Sequence, residues 1–346
     1  MTASEASCGP AVSIVIPCRN EARHIEACLR GVLAFVSPPG GFEVVVADGM
    51  SEDGTRDVIA RVAAEDPRVR LIDNPKRTTP CALNAGIRAA RAGIVARIDA
   101  HSDYAPDYLC QCLAVMDETG AENVGGPWLA RGGGYLQRAI AATFASPFAV
   151  GGARAHLAEH EGPVDTVYLG CFRKQFLFDI GLFDEDLVRN QDDELNFRIL
   201  RAGGSIWQSP RIRSWYSPRS SLTALYRQYF QYGYWKVLVI RKHGSPASVR
   251  HLVPGLFVGA MIVLALAAPF VTAARYGLAG LSALYAAGLL VASVHTAARS
   301  GWSLLPVLPA AFACYHFGYG LGFLCGLWDF GVRRRQAGRF TQLTRK

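Results

Sequence analysis

The last hundred residues hold three long apolar stretches, and these constrain the chain more than anything else in it. Residues 252–273, 278–298 and 303–328 contain no Asp, Glu, Lys or Arg. Each exceeds the ~20 residues that carry a helix across a bilayer. The third differs from the others: it contains Pro306, Pro309, His316 and a run of glycines. A chain ending this way is expected to be a multi-pass membrane protein. The tail beyond it carries Arg333, Arg334, Arg335, Arg339, Arg345 and Lys346, which places residues 331–346 in the cytoplasm by the positive-inside rule. The start, residues 1–10, has neither a basic segment nor an apolar one. It does not read as a signal peptide, so the N-terminal domain is also expected in the cytoplasm. A cytoplasmic domain and a cytoplasmic tail require an even number of crossings, whereas three stretches are present. Either the third is re-entrant or a broken pair, or the charge rule fails in this chain.

Ahead of these stretches, residues 12–217 read as α/β. Residues 12–16 (VSIVI), 42–47 (FEVVVA), 69–72 (VRLI) and 94–98 (IVARI) are short apolar runs suited to buried strands. Helical spacing separates them over residues 21–36, 55–66 and 80–92, with Gly93 placed to close the last helix. This alternation predicts a mainly parallel sheet with helices on both faces. In such sheets ligands bind beyond the carboxyl ends of the strands. Asn20, Glu21, Asp48, Asp99 and His101 all gather there. Residues 218–250 then mix Leu225, Tyr229, Tyr232 and Trp235 with Arg227, Lys236 and Arg241. That pattern suits a helix lying in the membrane interface, or a core helix with charged ends. The expected domains are therefore 1–217, 218–250, 251–330 and 331–346.

The net charge of +8 fits an anionic partner such as a nucleotide diphosphate, a lipid phosphate or an anionic leaflet. The basic, aromatic stripe of a nucleic-acid-binding surface is missing from the first 217 residues. Nine scattered cysteines form no C-x-x-C pair, which disfavours a disulfide framework or a zinc site. The turn after the first strand lacks G-x-G-x-x-G, which excludes a nicotinamide dehydrogenase.

Four segments carry the chemistry. Pro17, Cys18, Arg19, Asn20 and Glu21 follow the first strand; Asn20 either caps the next helix or meets a nucleoside. After the second strand, Asp48 is placed to accept hydrogen bonds from a base N–H or a ribose hydroxyl, while Asp53 or Thr55 can cap the following helix. Asp99 and His101 follow the fourth strand. A spacing of two in extended chain puts both side chains on one side, where they can hold a divalent ion that offsets a diphosphate leaving group. Finally, Asp192, Asp193 and Glu194 open a helix. They either favour its dipole or supply a catalytic base, for which Asp192 and Asp193 are both candidates.

The ordered set VSIVIPCRNE (12–21), DGMSEDGT (48–55), NAG (84–86), DAH (99–101), GLFDE (181–185) and QDDEL (191–195) resembles glycosyltransferase family 2. Within that family it is most similar to succinoglycan-type exopolysaccharide glucosyltransferases. The resemblance implies a GT-A fold over residues 12–217 and inverting transfer of one sugar from a nucleotide diphosphate donor, with UDP-glucose the expected one. It places Pro17, Asn20, Glu21, Asp48, Asn84 and Asp99 at the nucleotide-sugar and Asp99 and His101 at a metal. Asp192 becomes the base, with Asp193 as the alternative. The cofactor is Mn2+ or Mg2+, and a histidine ligand suits manganese at least as well. Gln231 and Trp235 match parts of the Q-x-x-R-W motif of processive members and are acceptor candidates, or membrane anchors. Tyr234 stands at the arginine position, which favours single addition. The expected partners are a nucleotide-sugar, a lipid-linked saccharide and the bacterial inner membrane. A polyprenyl-phosphate sugar synthase and an inactive nucleotide-sugar-binding subunit are the competing readings.

Overall fold

The computed structural model describes residues 9–335 and Phe340; Cys8, Arg339, Arg345 and Lys346 lie outside the described residues. The chain forms two compact units, Met1–Leu129 with Leu157–Tyr216, and Ala130–His156 with Ser217–Lys346.

The first unit is built on β1 (Val12–Cys18), β2 (Phe42–Asp48), β3 (Val69–Asp73) and β4 (Ile94–Arg97), all parallel neighbours in the order β3-β2-β1-β4. These are the four expected strands. Their residues alternate between two cores. Ile14 and Ile16 pack with Ile25 and Leu29 of α1 (Ile25–Leu33) and with Ile59 of α2 (Thr55–Glu65). Val15, between them, packs with Leu83 and Ile87 of α3 (Thr79–Ala89) on the opposite face. Burying each such side chain contributes about 1.5–3 kcal/mol, which is why β1 lies central and both layers close on it. Gly86 lets α3 approach: a Cβ there would lie 2.3 Å from Val15 Cγ1. The expected closure at Gly93 is corrected. The helix ends at Ala89, and Ala90 turns it into extended chain.

The rest of the sheet is mixed. β5 (Ser102–Tyr104), α4 (Tyr108–Thr119), β6 (Asn123–Gly126) and β7 (Leu129–Ala130) follow β4 in the chain. After α5 (Tyr135–Phe144) and α6 (Pro147–Val150) come β8 (Gly162–Pro163) and β9 (Tyr168–Arg173). Strand β9 runs antiparallel between β4 and β6. Next are α7 (Lys174–Asp179), α8 (Gln191–Arg201), β10 (Ile206–Gln208) and β11 (Ser214–Tyr216). β10 pairs parallel with β6 and antiparallel with β8, and β11 pairs antiparallel with β5 in a separate three-stranded sheet, β5-β11-β7. The architecture is a GT-A-like α/β domain with a mainly parallel sheet.

The second unit comprises α5, α6, α9 (Leu222–His243), α10 (Val253–Ala267), α11 (Thr272–Ser300) and α12 (Leu308–Gly326). Segment 130–156, read from sequence as part of the first domain, belongs here. Ala139 of α5 shares a core with Ala292, Ala297, Leu308 and Phe312. By length and composition, three stretches are fit to cross a membrane: Val249–Ala267, Thr272–Ser300 and Leu308–Val332. Helix α9 is present as expected, yet its centre is packed rather than laid open. Trp235 is 1% exposed and Gln231 7%.

Candidate nucleotide-sugar site

The carboxyl ends of β1, β2 and β4, with β9 and the start of α8, bring the candidate residues into the first unit. Backbone strain gathers in the same loops. Asn20, Met50, Leu169 and Asn190 have φ of 54°, 56°, 64° and 60°, a region that non-glycine residues occupy at a cost.

The loops after β1 and β2 are sewn together. The Asn20 N–H donates to Ser51 Oγ (2.8 Å), and Asn20 Oδ1 accepts from the Glu52 N–H (3.0 Å). The Glu21 N–H donates to Thr55 Oγ1 (2.9 Å) and the Ala22 N–H to Asp53 Oδ2 (3.2 Å). Asn20 therefore does not cap α1, which begins five residues on, at Ile25, with His24 before it. Asp53 accepts from both the amide (3.1 Å) and hydroxyl (2.5 Å) of Thr55, supporting the start of α2. Asp48 lies beneath these loops, fully enclosed. Its carboxylate accepts from the Ser51 hydroxyl (2.5 Å), the Ser51 amide (2.9 Å) and Arg56 Nη1 (2.9 Å). Arg56 also reaches Asp73 (2.8 Å). A nucleoside donating a hydrogen bond to Asp48 would have to compete with these partners. Pro17 sits in β1 opposite Ala47.

Asn84 is spent on structure. Its Nδ2 donates to Phe183 O (2.9 Å) and Glu185 Oε1 (3.0 Å), and its Oδ1 accepts from the Phe183 N–H (2.9 Å). The side chain is buried and its amide holds the 183–185 turn. Lys76 completes that turn by donating to Glu185 (2.6 Å). Together Lys76 and Asn84 hold the Glu185 carboxyl down at about 2.

At the end of β4 the chain turns at Ala100 and His101 instead of running extended, so the expected same-side geometry does not arise from strand alternation. The turn is held by the Asp99 N–H donating to Tyr104 Oη (2.9 Å). Ser102 meets the Tyr168 hydroxyl of β9 (2.7 Å). Burial, then the Asp99 charge among its neighbours, raises the Tyr168 phenol well above its ordinary range. Tyr168 in turn stacks on Trp128, with ring centroids 5.1 Å apart. His101 Nδ1 is buried with no hydrogen-bond partner.

The residue that sequence reasoning missed is Arg97. It is the last residue of β4 and its side chain is only 6% exposed. Its Nε and Nη2 both lie 3.3 Å from Asp99 Oδ1, and its Nη1 pairs with Asp192 Oδ1. Burial works against the guanidinium charge, but Asp192 and Asp99 outweigh it and its pKa is raised. Asp192 shows the reverse balance. Surrounding protein, then the Asp99 and Asp193 charges, raise its carboxyl against the pull of Arg97. Its side chain nevertheless keeps 42% of its surface open to water, as a proton acceptor requires. A signal for Arg97 existed in the sequence: an arginine ending an otherwise apolar buried strand needs a charged partner. The structure also separates the acids of α8. Asp192 reaches the Asp99 end of the site through Arg97, whereas Glu194 is buried against Arg198 (2.8 Å). Gln231 and Trp235 belong to the second unit, where their side chains are part of the packing.

Among the described residues, no three His, Cys, Asp or Glu side chains cluster to hold a metal. Any ion here would take at most two protein ligands and complete its shell with water and substrate oxygens, as magnesium at phosphate sites commonly does. The unpartnered His101 Nδ1 and the Asp99 oxygen that Arg97 does not engage fit that donor set.

Comparison with known proteins agrees with this architecture. The profile described as "Glycosyl transferase family 2" matches residues 13–176. The chain is 36% identical over 249 residues to the succinoglycan biosynthesis protein ExoA of Rhizobium meliloti, covering 70% of this chain and 73% of that one. It is 29% identical over 241 residues to a Methanococcus voltae enzyme, covering 67% and 74% of the two chains. That enzyme is a dolichyl N-acetyl-alpha-D-glucosaminyl phosphate 3-beta-D-2,3-diacetamido-2,3-dideoxy-beta-D-glucuronosyltransferase. Among solved structures, the mannosyltransferase PcManGT of Pyrobaculum calidifontis, in complex with GDP-Man and Mn2+, superposes with a TM-score of 0.60 at 21% identity. The match covers 93% of this chain and 88% of that one, and it shows a shared fold.

Proposed function

This chain belongs to glycosyltransferase family 2, and from that premise we propose that it transfers a single hexose from a nucleotide diphosphate sugar to a lipid-linked saccharide in exopolysaccharide assembly. Two relatives support the acceptor class. One is named for succinoglycan biosynthesis and the other for a dolichyl phosphate-linked sugar. Helices fit to cross a membrane sit in the same chain, where a lipid-linked acceptor would be met.

The observation that carries the reading is the Asp99–Arg97–Asp192 bridge. In the proposed reaction the acceptor hydroxyl attacks the anomeric carbon, the nucleoside diphosphate departs, and the sugar inverts. Asp192 takes the hydroxyl proton on its open oxygen. Arg97 holds the other oxygen of Asp192 and one oxygen of Asp99, so that the base and the donor end of the site keep a fixed spacing. The sewn loops carrying Asn20, Glu21 and Asp48 frame the nucleoside. Asp99 and His101 would hold a divalent ion, Mn2+ or Mg2+, which supplies positive charge to the leaving diphosphate. Tyr234 at the arginine position of the processive motif donates to Asp329 (2.9 Å), and single addition follows from this departure.

The test is a screen of UDP- and GDP-sugars with lipid-linked and bare polyprenyl-phosphate acceptors, with manganese and magnesium compared. The reading expects label in the lipid-linked saccharide and a dependence on the metal. Label in bare polyprenyl phosphate would favour a lipid-phosphate sugar synthase. Donor binding without turnover on any acceptor would sink the enzymatic reading.

A further inference from the structure

Three stretches are apolar and long enough to cross a membrane, but the packing of the second unit sets the third apart. Helices α9 and α12 are locked side by side. A Cβ at Gly318 would meet Tyr226 O at 2.9 Å, at Gly322 Phe230 O at 1.9 Å, and at Gly326 Tyr234 O at 2.6 Å. Both partners climb by four residues at each step, so the helices run parallel, backbone against backbone, over three turns. Gly233 returns the contact against Tyr319 O at 2.0 Å. The lock extends to both ends: Cys314 Sγ meets Leu222 O, and Arg241 Nη1 meets Phe330 O (2.9 Å). Two helices joined in this way share one depth and one tilt.

Helix α9 cannot lie in hydrocarbon along its length. Arg227 is exposed five residues into it, Gln228 and Gln231 follow, and Arg241 and Lys242 are exposed at its end. A lipid-facing arginine at that depth is strongly disfavoured. Such a helix belongs at the interface, and α12 goes with it.

The other contacts of α12 point the same way. Helices α10 and α11 form an antiparallel hairpin, with Phe257 against Tyr285 (4.8 Å between centroids) and Leu264 within 3.2 Å of a Cβ at Gly277. Helix α12 meets α10 at its first turns: Gly320 lies against Pro254 O and Val258, and Gly255 against Phe323. It meets α11 from Tyr285 toward the C-terminal end, where Tyr285 Oη contacts His316 Nδ1 (3.1 Å) and Ala292 and Ala297 pack on Leu308 and Phe312. The far half of the hairpin presents Ile262, Val263, Leu266, Phe270 and Tyr276 outward. With 29 residues, α11 is about 43 Å long. That exceeds the ~30 Å hydrocarbon core, so its last turns, which carry the Ala297 contact with α12, stand clear of it.

We infer that the membrane is crossed twice, by α10 and α11, and that α12 lies with α9 at the interface on the side where the hairpin begins. The chain then enters and leaves this unit on one face. The basic residues Arg333–Arg335 fall on that face, and the parity conflict between three apolar stretches and a basic tail disappears.

Trypsin applied to sealed membrane vesicles of known orientation tests this on the unaltered chain. Arg299, Arg333 and Arg334 are exposed near the proposed entry face, and Arg275 is exposed at the hairpin turn. The expected result is cleavage at Arg299 and at Arg333–Arg334 from one face, with Arg275 cut only after the vesicles are opened. Because Arg299 lies in a helical turn, a specific protease site inserted after Gly301 is compared with one appended after Lys346. Both should be cut from the same side. Cleavage of these two positions from opposite sides would mean that α12 crosses, and would overturn the inference.

Discussion

The strand ends of the first unit divide into two halves built from similar residues and finished differently. Behind β1 and β2 almost every polar group is taken: Asp48 has three partners, and the two loops exchange four hydrogen bonds. Behind β4 groups are left over. His101 Nδ1 has no partner, Arg97 engages only one oxygen of Asp99, and Asp192 is partly open. A saturated region is rigid and recognises shape, whereas an unsaturated one is poised for a ligand or ion to complete it. The contrast suits a ligand whose base is received by a preformed frame and whose charged end is met by unspent donors and acceptors.

The comparison can be broken first at the unsaturated half. Arg97→Met leaves Asp99 and Asp192 as buried or half-buried acids without their shared cation. The expected outcome is a fall in kcat of about 100-fold or more and a loss of stability of about 3–5 kcal/mol, read by steady-state kinetics and denaturant unfolding. Arg97→Lys should recover part of the stability and less of the rate, because ammonium lacks the fork that reaches two carboxylates. His101→Ala should weaken Mn2+ binding in the presence of donor nucleotide by about 10- to 100-fold, measured by the manganese EPR signal, with little change in stability. An unchanged signal would remove the histidine from the metal site.

The saturated half should respond through stability. Gly86→Ala drives a methyl into Val15 and should cost about 1–3 kcal/mol, while leaving donor KM nearly unchanged. The smallest effect concerns pH. Because the folded-state pKa of Glu185 is held at about 2, below its ordinary value of 4.5, its contribution is present above the unfolded value. It is lost as the pH falls from about 4.5 toward 2. Glu185→Gln should flatten acid unfolding in that window.

Much of the first unit was legible in the sequence because β1 to β4 are short apolar runs separated by helical spacing, and local pattern suffices for such elements. Strand β9 was not legible. Leu169 and Gly170 within it take positive φ, which breaks any strand pattern. The assignment of residues 130–156 to the second unit was also hidden. Ala139 and Ile140 look equally suited to either core, and only their partners decide. The hold of Asn84 on the 183–185 turn was hidden too, because its partners Phe183 and Glu185 lie about a hundred positions away. Arg97 failed for a related reason: its partner Asp192 lies 95 positions away, and the acidic run at residues 192–194 reads equally well as a helix-start signal.

The central claim is that Asp192, tied to Asp99 through Arg97, takes the acceptor proton. The most direct measurement compares single-turnover transfer by Asp192→Asn and Asp193→Asn at saturating donor, with donor affinity measured separately. Asp192→Asn is expected to lose about 100- to 10,000-fold in rate with donor affinity retained, and Asp193→Asn to stay within about tenfold of the parent. The parent rate should rise with pH through a pKa above the ordinary aspartate range, since burial raises the Asp192 carboxyl and only its ionised form accepts the proton. Full activity in Asp192→Asn, or the larger loss falling on Asp193→Asn, would contradict the account.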